Sequence, residues 1–314
     1  MRHFLFVMTF LVGITLPSQG YWGFFGHRLI TEMAIYTLPP EMAGFYKKNS
    51  RAIIEKSVVP DQRRYVIPEE GPRHYIDLDV YGEEYDSLPK YWRQAVEKFG
   101  EDSLTDHGIV PWHAYFTYRQ LVKAFANKDQ VRIINKSSDL AHYLADANVP
   151  LHTTSNYNGQ KTGQKGIHGF WETRLPQLFS NDYDFLVGQA NYLSDPQQAI
   201  WDGVLGAHHW VDSILVVEKR VSEEIGESKK YSFEDNGKRT VKVYSKKFSL
   251  AYHNALPIVE LQMQKSIKLI GDFWFTAWIE AGQPDLNTLH EVMIEKPDST
   301  NIIPVIIPQR EHEH

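Results

Sequence analysis

The sequence predicts an all-α fold, a single multi-helix domain with long loops and one possible small β-hairpin near 230–244. Three observations support this. Apolar residues recur at three- and four-residue intervals over several long windows. Alternating β-prone runs are scarce. No internal repeat, charge run or Pro/Gly/Ser-rich linker divides the 314 residues, so one domain over 21–314 is expected behind a short leader.

In chain order, a first helix is expected from about Gly26, and Thr37-Leu-Pro-Pro-Glu41 marks the start of a second. Helical spacing continues over Asp86 to Phe99, Pro111 to Ala126, Gln130 to Ala147, Pro196 to Glu224 and Phe248 to Ala281. Asp61 follows Val58-Val-Pro60 at an expected helix end, and His74 lies in Pro72-Arg-His-Tyr-Ile-Asp77, an extended or turn segment. The stretch from Asn156 to Gly166 is too polar and glycine-rich for a core element and reads as a loop. Asp235-Asn-Gly237, between polar β-prone stretches, is the hairpin signal. Asp272-Phe-Trp-Phe-Thr-Ala-Trp278 has the spacing of a buried helix in preference to a lipid-binding stripe.

Residues 1–20 read as a signal peptide: Arg2, an apolar run from Phe4 to Leu16, then Pro17-Ser18-Gln19-Gly20 with small residues at the positions a signal peptidase reads. The apolar run is shorter than the roughly 20 residues a membrane anchor needs, so export to the periplasm or medium is expected, with no integral anchor after processing. Cleavage there removes one basic residue and no acid, taking the formal net charge from -6 to -7. Such a balance argues against broad electrostatic capture of nucleic acid. There is no cysteine, so an exported chain of this kind has neither disulfides nor thiolate ligands, and any metal must be held by imidazole and carboxylate.

Those ligand types occur at meaningful spacings. His142 and Asp146 are four residues apart, as are His168 and Glu172; a helix returns to one face at that interval, so each pair can aim a nitrogen and an oxygen at one ion. His152 follows the first pair, and Asp61 and His74 lie upstream. Three carboxylates would be outweighed by two or three divalent ions, leaving a positive pocket in an acidic protein. Asp146 is the natural bridge, because a carboxylate can face two cations where an imidazole normally serves one.

Together with Trp22-Gly-x-x-Gly-His27, the order Asp61, His74, His142-x3-Asp146-x5-His152 and His168-x3-Glu172 resembles the bacterial zinc-dependent phospholipase C and S1/P1 nuclease superfamily over about half the chain. The resemblance implies three zincs: one on Asp61, His74, His142 and Asp146; a second on His152, His168 and Glu172; a third on His27, a bridging oxygen of Asp146, and the amino and carbonyl groups of a chain-terminal Trp22. It implies an enzyme that hydrolyses a phosphodiester, with Asp61 orienting or deprotonating the attacking water and the His152, His168 and Glu172 zinc stabilising the oxyanion and leaving oxygen. Phospholipid head groups are the first substrate choice, on Glu172 and the net charge. Single-stranded nucleic acid is the alternative, on the short Trp22 to His27 spacing, with Tyr157, Phe170 or Trp171 available to stack on bases. A zinc-stabilised binding protein without turnover is the reading from another class, and a monomer is expected.

Two features depart from the family pattern. The small-residue rule puts the cut after Gly20 and makes Tyr21 the first residue, whereas the third zinc needs Trp22 there. The absence of cysteine differs from the disulfide-bearing fungal nucleases.

Other residues have plainer readings. His113, the His208-His209 pair and His253 fall outside the ordered pattern and are expected to satisfy internal hydrogen bonds. His312 and His314 sit in a terminal tail. Arg63, Arg64 and Arg73 flank the ligand positions and are expected to pair with groups around those residues, or to face solvent, before contacting any substrate. Lys161 and Lys165 are expected to be solvated loop lysines.

Overall fold

In the computed structural model, which describes residues 23–235 and 240–289, the Gln130–Asp146 helix is buried along almost its whole length. The Asp129 carboxylate caps it by accepting from the Arg132 N–H at 3.0 Å. Around it pack Phe24–Ile35, Ser50–Lys56, Val110–Ala126 and Ile258–Glu280, so apolar positions on all its faces find partners. Polar ties fix the register: the Trp274 indole N–H donates to the Ser137 carbonyl at 3.1 Å, and Tyr46 and Ser137 share a hydroxyl contact at 2.8 Å. Each such bond stabilises by about 1 kcal/mol net.

The expected fold class is the observed one. Among the described residues there are fifteen α-helices and a single two-stranded antiparallel sheet. That sheet pairs Tyr231–Asp235 with Thr240–Tyr244 in the register Tyr231 opposite Tyr244, at the place the hairpin signal indicated. No described helix is long and apolar enough to cross a membrane. The leader at 1–20, Trp22, the Asn236-Gly237 turn and the tail with His312 and His314 lie outside the described residues.

Several boundaries differ from the periodicity reading. The helix expected from Asp86 begins at Trp92, because Pro89 holds Leu88 extended and the residues before it form a 3₁₀ stretch, Leu78–Ser87. The span from Phe248 to Ala281 is two helices, Lys246–Ala255 and Ile258–Glu280, parted where Pro257 lacks an N–H and Leu256 turns extended. The span from Pro196 to Glu224 is also two, Pro196–His208 and Val211–Ile225, with a turn at His209-Trp210 that no proline or glycine announces. Asp61 lies inside a short helix, Val59–Arg63, and His74 ends a 3₁₀ helix, Pro68–His74.

The segment carrying His74 is held by backbone pairing to a distant stretch. Ile109 N donates to the Pro72 carbonyl at 2.7 Å, Asp77 N to the His107 carbonyl at 2.7 Å, and Val110 N to the Tyr75 carbonyl at 3.1 Å. This close approach requires glycine at 108, where φ is +89° and an added Cβ would lie 2.2 Å from the Tyr75 carbonyl oxygen. Gly108→Ala should therefore destabilise the protein by about 1 to 3 kcal/mol, the cost of a strained backbone position. Thermal and urea denaturation check this, and an unchanged midpoint would show that the pairing does not constrain the segment.

Candidate metal centre

Besides the elements that carry His27, Asp61 and His74, three stretches of backbone bring the remaining predicted residues to one buried locus. The central helix ends at Asp146, and a 3₁₀ turn, Pro150–Thr153, then folds the chain back so that His152 faces the same carboxylate. Gln262 secures that reversal by donating from Nε2 to the Asn148 carbonyl at 2.7 Å. His168 and Glu172 span the junction of a single α-turn, Ile167–Gly169, with a π-helical turn, Phe170–Arg174, a local widening that recurs at functional sites. The loop at 156–166 supports this turn through Asn158 Oδ1, which accepts from Gly166 N at 3.0 Å and His168 N at 3.4 Å.

Donor atoms converge in two groups on either side of Asp146. Its Oδ2 lies 2.9 Å from His74 Nδ1 and 3.2 Å from His142 Nε2, and those two nitrogens are 2.9 Å apart. Asp61 Oδ1 stands 3.8 Å from His74 Nδ1 and 3.9 Å from His142 Nε2. On the other side, Asp146 Oδ1 lies 3.4 Å from both His152 Nδ1 and His27 Nε2. Beyond His152, Glu172 places one oxygen 2.8 Å from His152 Nε2 and the other 3.0 Å from His168 Nε2. His27 stacks on His142 with ring centroids 4.0 Å apart.

The donor set fits divalent metal. A proton can serve only one edge of the triangle formed by His74 Nδ1, His142 Nε2 and Asp146 Oδ2, whereas a cation at its centre serves all three. Ligands about 2.0 Å from a tetrahedral zinc are about 3.3 Å from one another, close to these spacings. Buried atoms left without a hydrogen-bond partner, Asp61 Oδ2 and His27 Nδ1 among them, belong to the same cluster. Three groupings each offer ligand atoms within 4.8 Å: His27, Asp61 and His142; His74, His142 and Asp146; His152, His168 and Glu172. All eight described candidates are thus brought together.

Backbone carbonyls orient two of the imidazoles. His142 Nδ1 donates to the Ser57 carbonyl at 2.8 Å and His168 Nδ1 to the Tyr157 carbonyl at 3.3 Å, which leaves each Nε2 lone pair toward the cluster. Neither carbonyl carries a side-chain signal, so neither could be read in the sequence. Glu70, fully buried four residues before His74, is a further acid that the motif spacing missed.

The arginines take the plainer reading. Arg63 pairs with Glu70 and Asp139, Arg73 with Glu70, and Arg64 Nη1 lies 3.8 Å from Asp61 Oδ1. His208 shares a 2.9 Å contact with Thr153 Oγ1, His253 stacks on Phe179 and His113 meets the Tyr143 ring edge-on, while His209 is exposed beside Trp210. Lys161 reaches Ser155 and Asp79. Phe170, Trp171 and Tyr157 are all buried, which corrects the expectation that they could stack on bases.

Charge complementarity sets the protonation states. Burial alone would raise Asp61 and Asp146, but neighbouring imidazoles, and Arg64 beside Asp61, hold both carboxylates below their ordinary values. Burial alone would lower His152, yet Glu172 and Asp146 bring it up to about 9.

Comparison with protein families finds no match, and comparison with curated proteins finds none. Among solved structures the chain is similar to the alpha toxin of Clostridium absonum, at 12% identity and a TM-score of 0.44, over 86% of this chain and 65% of the toxin.

The His152 shift gives a pH dependence in metal-free protein. A folded-state value above the ordinary 6.5 contributes stability that is full below pH 6.5 and is lost as pH rises toward about 9. In chelator-treated protein the melting temperature of the wild type should fall more across that window than that of His152→Gln. Equal falls would exclude the His152 pairing as the source.

Proposed function

We propose that the protein is an exported zinc-dependent phosphodiesterase whose first substrate class is the phospholipid head group. The observation that carries this reading is the division of Asp146, one oxygen toward His74 and His142 and the other toward His152 and His27. Adjoining cation sites that share a carboxylate suit an in-line displacement at phosphorus.

Asp61, His74, His142 and Asp146 would hold one zinc, and His152, His168 and Glu172 a second. His27, Asp146 Oδ1 and a chain-terminal Trp22 would hold a third. Bound zinc supplies Lewis acidity, lowering the pKa of water toward neutrality and stabilising charge on phosphoryl oxygens. Asp61 contributes the proton-accepting group: its buried Oδ2 has no hydrogen-bond partner, and Arg64 with the His142 and His74 imidazoles favours its ionised form. His152, whose side chain is 12% exposed, marks the edge of the cluster that substrate reaches. An accessible edge favours turnover over a purely structural zinc, which would be four-coordinate and closed.

Single-stranded nucleic acid stays the second reading on the Trp22 to His27 spacing alone, because the rings that would have stacked on bases are buried. Cleavage after residue 20, export and a monomeric state belong to the same proposal. Metal analysis followed by parallel assays on phosphatidylcholine, single-stranded DNA and RNA tests it. Fewer than about two zinc equivalents in protein purified without chelator would overturn it, since two separate ligand groups are invoked.

Each group can be removed by one substitution. His142→Ala and His152→Ala should each lose a zinc, abolish hydrolysis and melt earlier, because metal affinity is coupled to folding in a cysteine-free chain. Near-normal turnover of either variant at saturating zinc would exclude that residue as a ligand.

Asp61→Asn keeps the shape and one carbonyl oxygen but loses charge and basicity. Its turnover should fall by about 10²-fold or more, in the range of a general base, with most of the zinc retained. Unchanged turnover would rule out both the proton-accepting and the orienting role.

A further inference from the structure

Glu70 is a fully buried carboxylate that the proposed chemistry does not use. Its Oε1 accepts from the Tyr143 hydroxyl and from Arg63 Nη2 at 3.3 Å, and its Oε2 from Arg73 Nη1 at 2.7 Å and Arg63 Nε at 3.4 Å. The same Oε1 lies 3.7 Å from His74 Nε2, the ring nitrogen that faces away from Asp146. That nitrogen is buried and has no hydrogen-bond partner. At 3.7 Å the pair lies just beyond hydrogen-bond range, and a small rotation of the ring would close it to a direct bond.

We propose that Glu70 is a positioning residue for the first zinc group: it holds the His74 proton on Nε2 and so presents the Nδ1 lone pair to the metal. This rests on the zinc reading above. Imidazole binds metal through one nitrogen only when the other carries the proton, and an outer carboxylate is the usual device that fixes this tautomer. Glu70 is held in place for the task, since the Tyr143 hydroxyl, Arg63 and Arg73 all donate to its carboxylate. Arg63 also donates to Asp139 Oδ1 at 2.9 Å and to the Tyr143 hydroxyl oxygen at 3.0 Å, both on the central helix. The Glu70 shell therefore joins the three elements that carry Asp61, His74, and the pair His142 and Asp146. None of these bonds reaches the turn with His168 and Glu172.

That asymmetry separates a positioning role from a general structural one. Full-length wild type, Glu70→Ala and Glu70→Gln are titrated with zinc against a competing chelator, and histidine tautomers are read by long-range ¹⁵N NMR in zinc-free protein. The expected result is a loss of about 10- to 100-fold in affinity for one zinc in Glu70→Ala, the scale for removing an outer-shell partner, with the zinc on His152, His168 and Glu172 unchanged. Glu70→Gln, which still offers a carbonyl oxygen, should lose less, and His74 should carry its proton on Nε2 in the wild type but not in Glu70→Ala. Should the alanine variant fail to fold, Tyr143→Phe keeps the ring and removes the hydroxyl that holds Glu70, and a smaller loss at the same zinc is expected. Equal weakening of every zinc, unchanged zinc affinity, or a wild-type His74 protonated on Nδ1 would overturn the proposal. A wild type that binds no zinc would instead refute the metal reading on which it rests.

Discussion

Burying a carboxylate among imidazoles is the constraint to which the rest of the structure answers. Asp146 sits at the end of a helix enclosed on all sides, where an unpaired charge would be costly. Its stability there depends on four imidazoles arriving from four different segments, and each segment needs its own anchor. The backbone pairing around Gly108 secures His74, the Pro150–Thr153 turn presents His152, and the Phe24–Ile35 helix supplies His27. The core exists as much to hold these arrivals in register as to bury apolar surface.

The absence of cysteine sharpens the point. With no thiol in the chain, the only strong cross-links its composition permits are ionic or metallic. Bound divalent ions would tie the first described helix to residues more than a hundred positions away, closing long loops at one place. Stability and activity would then share the same residues, and loss of metal would cost both.

Outside the cluster, Glu218 is a buried charge that is fully paired. Glu218 accepts from Lys230, Gln164 and Tyr244, joining the helix Val211–Ile225 to the loop at 156–166 and to the hairpin. Tyr244 in turn stacks on Phe170, with ring centroids 4.1 Å apart, beside the turn that carries Glu172. The small sheet thus braces the second ligand group from outside. This gives the hairpin a reason to exist in an otherwise helical protein.

The sequence by itself determined the fold class, the hairpin position and the pairing of His142 with Asp146 and of His168 with Glu172, because helical periodicity and four-residue spacing are local properties; His27 is singled out by the family resemblance and not by spacing. Tertiary structure alone decided the rest. The break at His209-Trp210 has no local cause, and the exposure of Tyr157, Phe170 and Trp171 depends on what packs over them. The Ser57 and Tyr157 carbonyls act through backbone atoms that every residue carries, and Glu70 matters only because Tyr143, Arg63 and Arg73 close around it. The identity of the converging side chains is written along the chain, whereas their orientation is set by groups that meet only when the chain folds.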